Sequence, residues 1–197
     1  MMRLYHFSDN PNIDRFVPRP VRVPVERPAG CEWLNGPLVW GIESSHQAVY
    51  LFPRNCPRIL LWAIPGSTSK DIETWWRGSP CKKLAYIERA WLERVKTAVI
   101  YRYELPIKLF QDLNDAGMWV SEEEVKSLRM DVLDDLTLEL KTHEVELRIV
   151  ESLIPLKEVW RTSLHASGIR LRNAQGWGKP GWAHAKKDRV VETTEPD

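Results

Sequence analysis

The apolar segments of this chain follow no strict strand–helix–strand rhythm, and that argues against a doubly wound parallel sheet. Residues 3–8, 38–42, 59–64 and 98–105 read as short β-type runs, and residues 145–153 alternate in part like a strand. Trp119 and Val120 suggest one more. Helical spacing appears between them: Leu84, Ile87, Trp91 and Val95 predict an amphipathic helix over residues 83–97. Shorter helices are expected over 47–52, behind Ser44 or Ser45 as cap, around 71–76, and over 134–141. Ser121 followed by Glu122, Glu123 and Glu124 resembles a capping box that starts a brief helix. Pro155 suits the first turn of a helix carrying Leu156, Val159, Trp160 and Leu164 on one face and ended by Gly168. Strands and helices mixed in this way predict an α+β fold, a largely antiparallel or mixed sheet with flanking helices.

Four prolines, Pro18, Pro20, Pro24 and Pro28, make residues 17–30 extended surface chain, because proline lacks the donor an inner strand needs. The length of 197 residues fits a single α+β domain over 1–184, followed by a charged, disordered tail over 185–197. Ten tryptophans are many for this length, so several should lie in the core or line a cleft.

Several function classes fall away. The sequence has no GxGxxG, GxxxxGK[ST], HExxH or GxSxG, and none of its five histidines pairs at metal-ligand spacing with another His or a Cys, so no metal is expected. Cys31, Cys56 and Cys81 are odd in number and widely spaced, which fits reduced thiols. Residues 4–7 carry no apolar signal core, and no stretch is long enough to cross a bilayer. A cytoplasmic location without a membrane partner is therefore expected. With 28 basic and 27 acidic residues the net charge is +1, so nucleic acid is not an expected partner.

Three segments could carry chemistry. Leu4, Tyr5, His6, Phe7 and Ser8 place a histidine on the first strand, where a plain sheet histidine is as good a reading. Residues 39–50 read as strand, turn and helix, with Trp40 and Tyr50 able to converge on a flat ring or simply to pack in the core. Residues 144–155 put carboxylates on a late strand ahead of Pro155; a solvated strand-end charge is the competing reading.

Taken together the three segments resemble the ADP-ribosyltransferase superfamily. His6 matches its first-strand histidine. Trp40 and Tyr50, with Ala48 and Val49, match its aromatic strand and following tyrosine. Glu146, ahead of Ser152 and Pro155, matches its late glutamate. The resemblance implies an ADP-ribosyltransferase-like fold with NAD as substrate, nicotinamide displaced and ADP-ribose passed to an unknown acceptor. It assigns Glu146, His6 and Tyr50 to catalysis. Breaking the nicotinamide–ribose bond develops positive charge on the ribose, and Glu146 would stabilise it. His6 would bond the adenosine ribose, and Tyr50 with Trp40 would stack on nicotinamide. Ser8 and Arg54 complete the cofactor-binding set, Arg54 by meeting a pyrophosphate.

The sequence departs from that pattern in three places. Trp40 stands where Tyr is usual, Phe7 where Gly is usual, and Glu144 and Glu151 compete with Glu146. The whole chain also resembles an uncharacterised bacterial family through residues 4–8, 35–40 and 164–174, which implies no activity.

Two other functions compete. One is a non-catalytic nucleotide- or protein-binding domain using the same cleft. The other is a nucleic-acid handler using Arg170, Arg172, Lys179, Lys186 and Lys187 with Trp177 and Trp182, against which the near-zero charge weighs. His165, Arg170 and Arg172 could form an anion site, since arginine forks match phosphate; the reading ahead of it has His165 complement a helix C-terminus and Arg170 and Arg172 face water. Trp177 and Trp182 could form a lid or a partner surface, or dock on the domain's own core. The enzyme reading requires His6, Tyr50 and one of Glu144, Glu146 and Glu151 around one cleft.

Overall fold

Two sheets with apolar residues on both faces organise the chain, in a computed structural model that describes residues 2–178 except Val25. In chain order the elements are β1 (Leu4–Ser8), β2 (Arg15–Phe16), β3 (Val39–Glu43), β4 (Arg58–Trp62), α1 (Ser69–Trp76), β5 (Lys83–Glu88), α2 (Leu92–Thr97) and β6 (Ile100–Leu105). Then follow β7 (Gln111–Asp115), β8 (Met118–Ser121), β9 (Val125–Lys126), β10 (Arg129–Leu133), α3 (Leu136–Thr142), β11 (Val145–Val150) and β12 (His165–Ile169). The first sheet is antiparallel throughout, in the order β10-β6-β1-β3-β8-β7. The second runs β11-β5-β4-β12, and only its β11–β5 pair is parallel. The expected single α+β domain with antiparallel and mixed sheets is the observed one. The expected tail over 185–197 lies outside the described residues, as do Lys179, Trp182, Lys186 and Lys187. No helix among the described residues is long and apolar enough to cross a membrane.

Side-chain alternation splits the core into three layers. Tyr5, Leu60, Trp62, Ala85 and Ile87 meet between the sheets, closed off by Val95 of α2 and by Leu136 and Leu140 of α3. Ile59, Leu61, Leu84 and Tyr86 face the other way, against Trp76 of α1 and Leu156, Val159 and Trp177. Leu4, Val39, Tyr103 and Leu105 pack on the far face of the first sheet, under Phe16. Trp177 thus docks on the domain's own core, its ring edge-on to Trp160.

Four predicted helices take other forms, and the one expected over 47–52 is a short 3-10 turn, Gln47–Tyr50. Residues 83–97 form β5 and then the short α2, because β5 runs between β11 and β4 with both faces covered and shows no alternation. Ser121 ends β8 instead of capping a helix; its Oγ accepts from the Glu123 N–H at 3.1 Å in a local turn, a side-chain bond that competes with helix formation. The helix behind Pro155 is a 3-10 helix over Ile154–Arg161, and Gly168 lies inside β12, opposite Ile59.

Candidate functional site

The ladder between β1 and β3 stops early. β1 pairs with β6 from Leu4 through Ser8, but with β3 only through Leu4↔Glu43 and Tyr5↔Ile42. From His6 onward the pairing is lost, and the Trp40 carbonyl bonds the His6 ring instead: His6 Nδ1 lies 2.9 Å from it. A carbonyl only accepts, so Nδ1 carries the proton and the neutral ring keeps Nε2 as an acceptor. Burial holds the His6 pKa below its ordinary value, opposed by the Trp40 bond and reinforced by Arg54. The ring lies 4.7 Å from that of Phe16.

Tyr50 ends the short 3-10 turn Gln47–Tyr50 and lies against Phe7, ring centroids 6.1 Å apart and planes 17° from parallel. Its hydroxyl donates to the thioether of Met118 at 3.7 Å. A thioether sulfur is a weak acceptor. Burial raises the Tyr50 pKa. Trp40, His6 and Tyr50 border one small cavity of about 70 Å³ at the gap between β1 and β3. The guanidinium of Arg27 lies 5.9 Å from the centre of the Trp40 ring, within reach of a cation–π attraction.

This gap lies beside a cavity of about 370 Å³ where the two sheets meet, walled by His6, Ser8, Tyr50, Arg54, Arg58 and Arg170. That volume suits a small ligand. Arg58 is 2% exposed; it donates to the Val49 carbonyl at 2.8 Å and the Cys56 carbonyl at 3.0 Å. Burial lowers its pKa to about 10; the groups acting on it are Cys56, Tyr50 and Arg170, none of them a carboxylate. Arg170 follows β12 in the left-handed region, at φ 57°, and its Nε donates to the Arg54 carbonyl at 3.2 Å. Its pKa is lowered first by burial, then by Arg172 and Arg54. Arg54 pairs with Asp9 at 3.0 Å, and Asp9 is the carboxylate that lines this cavity among the described residues.

The structure therefore brings His6, Ser8, Tyr50 and Arg54 to one cavity, with Trp40 at its narrow end. It does not bring Glu146 there. Glu146 sits on β11 beside Arg148, its Oε1 2.6 Å from Arg148 Nε, on the face of the second sheet turned towards α1. Strand alternation explains this, since Val145, Leu147 and Ile149 take the face towards the first sheet. Arg148 holds the Glu146 pKa below the usual carboxylate range. The two competitors are also elsewhere: Glu144 pairs with Lys82 at 2.6 Å and Glu151 with Arg89 at 2.5 Å. None of Glu144, Glu146 and Glu151 lies around this cleft, where the enzyme reading required one of them.

Sequence reasoning missed Arg58, hidden as the first residue of an apolar strand; of its two readings of Arg170, anion site or water-facing residue, the half-buried position in the cavity wall fits the first. His165 is no helix-end residue: it lies on β12, stacked 4.1 Å from the Trp62 ring. Among the described residues no three His, Cys, Asp or Glu side chains group to hold a metal ion.

A family model matches residues 5–174, and the chain belongs to that family, a family of unknown function, DUF6886. No curated protein and no solved structure matches the chain.

Proposed function

We propose that this member of DUF6886 has an ADP-ribosyltransferase-like fold and binds NAD, or a phosphorylated nucleotide like it, where the two sheets meet. One observation carries the reading: a histidine acceptor and two aromatic rings at a strand gap lie beside a wall of arginines. A dinucleotide offers hydroxyls, flat rings and a pyrophosphate, and each finds a matching group. Nε2 of His6 accepts from a ribose hydroxyl. Tyr50, backed by Phe7, and Trp40 flank a planar ring. Arg54, Arg58 and Arg170 neutralise the pyrophosphate, which relieves the cost of burying Arg58 without a carboxylate.

Titration calorimetry with NAD, ADP-ribose and AMP tests this. NAD and ADP-ribose should bind, and Arg170→Ala and His6→Ala should each weaken binding by roughly tenfold, about 1.4 kcal/mol. Absent NAD binding, or binding indifferent to Arg170→Ala, refutes it.

Transfer of ADP-ribose from NAD to an acceptor is the second reading, favoured by the meeting of His6, Tyr50 and Trp40 at one place. It needs a carboxylate beside the ribose, and Asp9 is the one in position. Nicotinamide release that is lost in Asp9→Asn and kept in Glu146→Gln would support it. NAD that binds and stays intact leaves the nucleotide-binding domain.

A further inference from the structure

Arg19, Arg22 and Arg172 have no role in holding a pyrophosphate, yet they wall a second cavity of about 660 Å³. It shares His6, Ser8, Arg54 and Arg170 with the first cavity, so the two adjoin along one wall. The proline-rich segment forms its outer side and is tied down by backbone bonds. Arg19 exchanges N–H and carbonyl bonds with Leu38 at 3.3 and 3.2 Å, and the Val21 N–H donates to the Asn35 carbonyl at 3.2 Å. With Arg15, six arginines line this space, and no carboxylate does among the described residues. Arg15 and Arg54 have acidic partners in Glu124 and Asp9. Arg19, Arg22, Arg170 and Arg172 form no ion pair among the described residues. Burial first, and then Arg172, Arg54 and Arg22, lower the Arg170 pKa, so these guanidinium groups lie close enough to act on one another.

A chain of net charge +1 that gathers six guanidinium groups around one cavity is built for an anion. A single phosphate is satisfied by one or two arginine forks. Four without an acidic partner along a continuous wall match a repeated anion. Trp40 and His6 stand among them, and cations interleaved with ring faces suit phosphates and bases of one strand. We propose that this second cavity binds a single nucleic-acid strand through its phosphates, as the acceptor side of the cleft. The acceptor role rests on the transfer reading above; the strand binding does not.

Fluorescence anisotropy on the full chain tests it, with a labelled single-stranded oligonucleotide of about a dozen nucleotides, within the usual range of strand sites. Affinity should fall as salt rises. Removing three phosphate contacts in Arg19→Ala/Arg22→Ala/Arg172→Ala should flatten the log–log salt slope by about 2, at about 0.7 per contact for a single strand. All three substituted side chains are exposed, so folding is not at stake. Arg161→Ala, which removes an exposed pair with Glu158 outside the cavity, should leave the slope unchanged. No strand binding, or a slope the triple variant does not change, overturns the proposal. So does inorganic polyphosphate or a phosphopeptide binding more tightly than the strand at equal charge. NAD affinity measured in parallel separates the two readings. If the strand binds and NAD does not, the nucleotide reading and the acceptor role fall while the strand site stands. If NAD binds and the strand does not, this proposal alone falls.

Discussion

Replacing Arg148 with methionine removes the guanidinium that ties α1 to the second sheet, and it measures what Glu146 is for. Arg148 donates from Nη1 to the Trp75 carbonyl at 2.6 Å and to the Tyr86 hydroxyl at 2.9 Å, from Nη2 to the Trp76 carbonyl at 2.8 Å, and from Nε to Glu146. The side chain keeps 21% of its surface exposed, so water can reach part of what it leaves behind. The two carbonyl bonds come from a charged donor and contribute about 1.5 kcal/mol each, the low end for such bonds. The half-wet pair with Glu146 adds less than about 1 kcal/mol, and the new methionine side chain returns a similar amount. The net loss is about 3 kcal/mol, which lowers Tm by roughly 6–12 °C for a chain of this size. Glu146→Gln keeps an acceptor for Nε and should cost less than about 1 kcal/mol. Urea and thermal denaturation read both values, and calorimetry should find NAD affinity unchanged in Glu146→Gln. The reasoning fails if Arg148→Met costs under about 1 kcal/mol. It fails equally if Glu146→Gln costs as much as Arg148→Met or abolishes NAD binding.

Three further outcomes follow from the same geometry. Gly117 has a positive φ, in the region that favours glycine, and a Cβ there would lie 2.6 Å from His46 Nδ1. Gly117→Ala should therefore cost about 2 kcal/mol or more in urea denaturation, from left-handed strain and overpacking together. Ile87 is fully buried in the middle of β5, and Ile87→Ala should cost about 2–5 kcal/mol, read the same way. His6, His46 and His143 all have pKa values lowered by burial, so below about pH 6.5 the unfolded chain takes up protons that the native one does not. Stability should therefore be flat above that pH and fall as the solution is acidified towards the native pKa values. Denaturation midpoints from about pH 8 to about pH 5 should show this, with a shallower fall in His6→Gln.

The limits of sequence reading are visible strand by strand. The strands β1, β3, β4, β6 and β11 were legible because short apolar or β-branched runs mark them, with Gly or Pro close by. In β5 the same principle misled. Leu84, Ile87, Trp91 and Val95 satisfy helical spacing, but Lys83–Glu88 is paired on both edges and covered on both faces, so its period of two is erased. The strand β12 carries His, Ala, Ser, Gly and Ile, a set with little strand preference; its pairing with β4, from Trp62 to Arg58, decides its conformation. Alternation also decides Glu146, because a strand that sends Val145 and Leu147 to the inner core must send Glu146 to the opposite face.

The cleft divides along a similar line. His6, Trp40 and Tyr50 were legible because each lies within or just after a recognisable strand, and the pairing of β1 with β3 brings His6 to Trp40. Arg54, Arg170 and Arg172 were candidates in the sequence, but Arg19, Arg22 and Arg58 were not, because electrostatics acts through space while charge is counted along the chain. Arg19 and Arg172 are far apart in sequence and face one cavity. The net charge of +1 concealed this by averaging. Glu124, Asp131, Glu144 and Glu151 cancel cations that are paired locally at Arg15, Arg102, Lys82 and Arg89. Arg19, Arg22, Arg170 and Arg172, which form no ion pair among the described residues, line one cavity together. For such a fold the sign of the total charge says little about partners. The partner class follows from which cations the carboxylates leave unpaired, and where the sheets gather them.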